Sequence, residues 1–182
     1  GAGFIGREIV RMLADEGHRV TSIDNFRFSN TRHLVEHPNV EWVWGDTRNE
    51  QLMSAFIRRK DAVIHLAAPS SFLMHEENDF EACEFTLMGF KMVMELAKRA
   101  GIRTVVWAST SAVYEGNPVP YHEGMALHPP DSKAGCKKFC EEEAQRYSDR
   151  YGIRSIALRP FSVYGVGEHT KRGYANVISL FA

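Results

Sequence analysis

The sequence predicts a doubly wound α/β fold around a parallel sheet. Three observations carry that expectation. Short apolar runs rich in β-branched residues alternate with longer stretches of helical periodicity. Gly17, Gly101 and Gly152 each stand between a helical stretch and the next apolar run, where a C′ glycine ends a helix. The links between runs are short, and strand–helix alternation with short links builds parallel sheets.

Taken in order, the chain opens on Gly1-Ala2-Gly3-Phe4-Ile5-Gly6, a G-x-G-x-x-G run. A helix is expected over Phe4 to Glu16, with Ile9, Val10 and Leu13 on its apolar face. Strands are expected at Arg19 to Asp24, Val40 to Trp44, Ala62 to Leu66, Thr104 to Ala108 and Ser155 to Leu158. Further helices are expected at about Asn49 to Arg58, Phe80 to Ala100 and Ser132 to Tyr151. The nearly all-apolar strands suit a sheet covered on both faces. The opening run, its helix and an acid ending the next strand form a dinucleotide-binding fingerprint. Glycines allow the tight turn, the helix N-terminus faces a pyrophosphate, and a carboxylate about 20 residues on meets ribose hydroxyls.

In such a fold the first strand lies centrally and its C-terminal end presents the glycine turn. No strand precedes Gly1 in this sequence. The expectation is therefore an incomplete sheet, open on both sides of the missing strand, in a piece of a longer protein. Residues 1–160 read as a Rossmann-type nucleotide-binding domain lacking its first strand, and 161–182 as the start of a substrate-binding region.

The 182 residues fit one domain with a sizeable core. Charged residues make up 25%, apolar ones 44%, and the net charge is −1, a balance that offers nucleic acid no basic surface. No apolar run approaches the ~20 residues of a membrane span, so no membrane partner is expected. Three scattered cysteines argue against a disulfide framework and for a reducing, cytoplasmic compartment. Cys136 and Cys140 lie one helical turn apart but lack a second ligand pair. They read as buried or helix-surface thiols, and no metal is expected.

Further segments fall at the predicted strand ends: Gly45-Asp46, His65-Leu66-Ala67-Ala68, Ser109-Thr110-Ser111-Ala112-Val113-Tyr114 and Arg159-Pro160-Phe161-Ser162-Val163-Tyr164-Gly165. With the glycine run and Asp24-Asn25-Phe26, this ordered set resembles the extended short-chain dehydrogenase/reductase family. Within it, the chain is similar to the NAD-dependent nucleotide-sugar epimerases and dehydratases. The resemblance spans almost the whole chain.

The resemblance implies NAD as cofactor, held by Gly1, Gly3, Phe4, Ile5, Gly6, Asp24, Asn25, Asp46, Leu66, Ala67, Ala68 and Lys137. Asp24 would accept from the adenosine ribose hydroxyls and repel a 2′-phosphate, a preference that nearby Arg27 weakens. Asp46 has two readings, a partner of the adenine amino group or a helix cap before Asn49. His65 reads as a packed strand residue. Thr110 would orient the reacting sugar hydroxyl, with Ser109 and Ser111 as neighbouring alternatives. Tyr114 and Ser162 would sit on the side of a nucleoside-diphosphate sugar, and Lys171 and Arg172 read either as diphosphate contacts or as solvated charges. A homodimer through the helices near Phe80 to Ala100 and Ser132 to Tyr151 is also implied.

The departures matter most at the chemical step. The family carries Tyr-x-x-x-Lys, and Lys137 matches the lysine, which binds the nicotinamide ribose and lowers the tyrosine pKa. Four residues earlier stands Lys133, not tyrosine. An ammonium accepts no proton, so a base there requires a strongly lowered pKa, whereas a solvated Lys133 stays charged. Thr86 replaces the asparagine of the family's Asn-x-x-Gly, and Ser162 that of its R-x-F-N-x-x-G. The sequence thus supports an epimerase/dehydratase-like enzyme, an NAD-binding module impaired in catalysis, or an inactive piece.

Overall fold

A computed structural model describes residues 1–29 and 31–181, with the backbone alone at His33, His169, Thr170, Arg172, Leu180 and Phe181. The described chain divides into two compact units, Gly1–Phe56 with Ser162–Ala182, and Ile57–Phe161.

The first unit is built on α1 (Phe4–Asp15), β1 (Val20–Asp24), β2 (Val40–Trp44) and α2 (Glu50–Ile57). β1 and β2 pair in parallel from Val20↔Val40 to Asp24↔Trp44, so Asp24 ends its strand. α1 buries Phe4, Arg7, Val10 and Ala14, positions recurring at helical spacing. Gly17, at φ 89°, follows its end as the sequence predicts. Residues 168–174 form a 3-10 segment around Glu168, which is fully buried. The Glu168 carboxylate accepts from Ser179 Oγ at 2.6 Å, Asn176 N at 3.0 Å and Lys171 Nζ at 3.4 Å.

The second unit contains β3 (Ala62–His65), α3 (Phe72–Glu77), α4 (Asp79–Ala100), β4 (Thr104–Ala108), α5 (Ser132–Tyr151) and β5 (Arg154–Leu158). Its parallel sheet has the order β3-β4-β5. The core draws on β4 and the long helices: Val105, Trp107, Phe90, Val93, Met94 and Cys140 are all buried. The Phe90 and Trp107 rings stand 4.6 Å apart at 52°, and Trp107 Nε1 donates to Ser155 Oγ at 3.0 Å. Asp131 caps α5 by accepting from Ala134 N at 2.7 Å, and Asn78 caps α4 through Glu81 N. Gly101 and Gly152 end the same helices in left-handed conformation.

Most predicted elements stand within a residue or two of expectation, and α3 is an addition. Its cap, Ser71 accepting from Met74 N, holds a helix of only six residues. The parallel strands form two sheets, in keeping with the break expected from the sequence, and among the described residues β1 pairs with β2 alone and β3 with β4 alone. The expectation of strands covered on both faces needs correction: Trp44, Ile64 and Leu158 are exposed.

Candidate nucleotide-binding site

In the first unit the opening turn is shaped by glycines with different duties. A Cβ on Gly6 would lie 2.5 Å from the Gly1 carbonyl oxygen, so Gly6 lets α1 pass close to the turn. A Cβ on Gly3 would meet nothing within 4 Å, so its missing side chain faces open space. Gly3 is also the N-cap of α1, and no side chain caps that end. No acidic residue stands in the first turn. The amides over Phe4, Ile5 and Gly6 therefore present an uncompensated positive helix end, the site a phosphate fits. Phe4 is buried beneath Lys171 Nζ, which stands 4.9 Å from its ring centroid, while Ile5 is at the surface.

Asp24 reaches this turn from the end of β1. Its Oδ2 accepts from Gly1 N at 2.9 Å and Ala2 N at 2.8 Å, and its Oδ1 from Phe26 N at 2.8 Å and Ser29 Oγ at 3.0 Å. Burial opposes its charge, but the hydrogen bonds from Gly1, Ala2 and Phe26 nitrogens hold its carboxyl below the ordinary range. Asn25 donates from Nδ2 to Asp46 Oδ2 at 3.4 Å.

Asp46 also accepts from Arg48 N at 2.8 Å and from Arg48 Nε and Nη2, both at 3.0 Å. Burial again works against the charge, and the Arg48 bonds outweigh it. The cap reading of Asp46 is corrected: Asn49 caps α2, its Oδ1 accepting from Leu52 N at 3.0 Å. Asp46 instead closes a turn on Arg48 N. Lys171 is not the solvated cation of one sequence reading, because it pairs with buried Glu168. The side chain of Arg172 lies outside the described residues. Ser162 is exposed in irregular chain.

The second unit carries the residues expected for chemistry. Lys137, on α5, is 7% exposed and donates from Nζ to the Ala108 carbonyl at 2.7 Å, at the end of β4. Burial, with the like charge of Lys133, brings its pKa down to about 8. Lys133, one turn earlier, is half-buried, and burial lowers its pKa against the pull of Asp131. Thr110 is buried, and its hydroxyl accepts from Ala112 N at 3.3 Å, capping the 3-10 turn Ser111–Tyr114.

Leu66, Ala67 and Ala68 form the half-buried irregular stretch after β3. His65 packs against Phe90, and burial takes its pKa to about 3, so the ring is neutral. Thr86 is buried, and its hydroxyl donates to the Ala82 carbonyl at 2.9 Å.

Sequence reasoning missed the polar network that fixes these strand ends. Arg159 donates from Nε to Glu141 Oε1 at 2.9 Å, from Nη2 to Glu141 Oε2, and from Nη1 to the Tyr114 hydroxyl at 2.7 Å. Ser109 Oγ donates to Glu141 Oε1. Tyr114 is thereby held in a stack with Tyr121 and Phe161, at 5.5 and 6.4 Å. The available signal was Glu141 standing one turn beyond Lys137 on the same helix face.

A parallel α/β architecture with a glycine turn at a helix N-terminus and an acid at the next strand end defines a nucleotide-binding protein of the dinucleotide type. The sequence model of the NAD dependent epimerase/dehydratase family matches residues 1–182, and the chain belongs to that family. It is 31% identical over 175 residues to a UDP-glucuronate 4-epimerase of Thermodesulfobacterium geofontis, covering 90% of this chain and 54% of that protein. A UDP-glucose 4-epimerase of Thermotoga maritima, solved with UDP-glucose, superimposes with TM-score 0.91 at 25% identity, covering 100% of this chain and 59% of that one. The Thermus thermophilus UDP-glucose 4-epimerase, solved with NAD, gives TM-score 0.79 at 28% identity, covering 90% and 54%. The chain thus spans about half the length of the relatives it matches. Among the described residues no helix is long and apolar enough to cross a membrane.

Proposed function

We propose that this chain is the NAD-binding part of a nucleotide-sugar epimerase or dehydratase, with residues 1–160 serving the cofactor and 161–182 beginning the substrate region. The observation that carries this reading is the open space at Gly3 beside the anchored Asp24 carboxylate. The α1 amides would receive the diphosphate. Asp24 would take the ribose hydroxyls in exchange for the Ser29 hydroxyl, while its bonds from Ala2 and Phe26 keep it aimed. NAD, when bound, supplies the hydride acceptor for oxidation of a sugar carbon.

Asn25 and Asp46 would serve the adenine, and Leu66, Ala67 and Ala68 would line the cofactor with small side chains and backbone. Lys137 would hold the nicotinamide ribose, and Thr110 would turn its hydroxyl from Ala112 N to the reacting sugar hydroxyl. Tyr114 and Ser162 belong to the side of the UDP-sugar. By resemblance, the full protein would pair as a homodimer through α4 and α5, where Phe80, Met88 and Phe139 are exposed.

A second reading, NAD binding with impaired catalysis, is favoured by one observation: Lys133 stands one turn before Lys137 where the family carries its tyrosine. Titration with NAD tests the main reading and leaves the second to kinetics. Asp24→Ala is expected to weaken NAD binding about 10- to 100-fold, the value of one or two charge-assisted hydrogen bonds. Gly3→Ala is expected to do likewise while leaving the melting temperature unchanged, since its Cβ meets no protein atom. Unaltered affinity in both variants would remove the glycine turn from the reading.

A further inference from the structure

Away from the nucleotide-binding residues, three side chains of different chemistry converge at the junction of α3 and α4. His75 lies near the end of α3, Asp79 opens α4, and Cys83 follows one turn on, a spacing of four and four residues. All three ligand-bearing atoms lie within 4.8 Å of one another. His75 Nδ1 is 3.1 Å from Asp79 Oδ1, and Cys83 Sγ is 3.7 Å from that same oxygen.

We propose that His75, Asp79 and Cys83 form a binding site for a divalent cation of the zinc class, with imidazole, carboxylate and thiolate as its three protein ligands. Zinc takes nitrogen and oxygen at about 2.1 Å and sulfur at about 2.3 Å; tetrahedral angles then space N from O by about 3.4 Å and S from O by about 3.6 Å. The observed 3.1 and 3.7 Å lie within a few tenths of an ångström of those spacings. The donor set is mixed nitrogen, oxygen and sulfur, which suits a borderline-soft ion over calcium or magnesium.

The surroundings supply what a metal site requires. Ser132 Oγ donates to Asp79 Oδ1 from the first turn of α5, fixing the carboxylate as an outer-shell partner does. His75 is held rigid by burial, while Asp79 is 53% exposed and gives the ion a path from solvent. Cys136 and Cys140 are buried thiols outside this cluster. The bound ion would clip α3 to the start of α4, and the site does not depend on the nucleotide-binding reading.

The test uses the whole chain, stripped with a chelator under reducing conditions and titrated with Co²⁺. One saturable ion per chain is expected, with visible bands of a tetrahedral field and a near-ultraviolet thiolate-to-cobalt band, both erased by added Zn²⁺. Cys83→Ser should lose the near-ultraviolet band, and Cys140→Ala, altering a thiol outside the cluster, should keep it. Asp79→Asn, an isosteric change at a half-exposed position, should weaken binding about tenfold or more. No saturable binding, a thiolate band unmoved by Cys83→Ser, or one abolished equally by Cys140→Ala would overturn the proposal.

Discussion

Lys137 is a buried ammonium that donates to the Ala108 carbonyl, and its charge is costly in the folded state. The native group releases its proton near pH 8, while in the unfolded chain it keeps it to about 10.4. Between those values the unfolded state binds more protons, so stability must rise with pH. Relative to Lys137→Met, the wild type should gain about 2–3 kcal/mol between pH 8 and 10.5 in urea unfolding. Parallel pH profiles for the two proteins would show that the amine is not desolvated. The helix that carries Lys137 was legible from its own pattern and its closing glycine, whereas Lys137 itself was singled out by the family resemblance. Asp24 was legible because an acid ending a strand after a glycine turn is a short-range pattern. Asp46 and Asn49 were harder: both are good capping residues three apart, and the backbone geometry that selects Asn49 is not written in residue identity.

Helices and strands read more clearly than the contacts between them. Polar punctuation by Gly17, Gly101 and Gly152 marks helix ends regardless of tertiary packing. By contrast, Arg159 and Glu141 lie on different elements, 18 residues apart, and no periodicity links them. Their pairing ties the end of β5 to α5, with Ser109 adding the end of β4. Both side chains are largely buried, at 17% and 12% exposure. Arg159→Met should therefore cost about 3–5 kcal/mol, since it strands a buried carboxylate. The double variant Arg159→Met/Glu141→Leu should recover most of that loss in chemical denaturation. Equal losses in single and double variants would mean that the pair is not coupled. The six-residue α3 escaped sequence reading for a related reason: one turn and a half of helix is too short to show a period, and Ser71 caps it only where the chain is already bent.

For the molecule as a whole, the question is whether this family member has kept its chemistry. The departure at position 133 gives a direct experiment in the complete protein. Lys133→Tyr restores the family's acid–base residue beside Lys137 and should raise turnover of a UDP-sugar about 100-fold or more, the usual worth of a positioned base. Low turnover in both forms would count against the alignment of this helix. The overall class of fold was legible because alternating patterns accumulate over many residues. The division into two sheets was legible as well, as a sheet left open beside the glycine turn. That division has a consequence of its own. Two five-residue strands make a marginal sheet, whereas the β3-β4-β5 unit leans on two long helices and a dense aromatic centre. Backbone amides around the opening glycine turn should thus open to deuterium sooner than those of β4. A cofactor that closes on the more loosely held half would act as a clasp, spending part of its affinity on ordering the place where it lands.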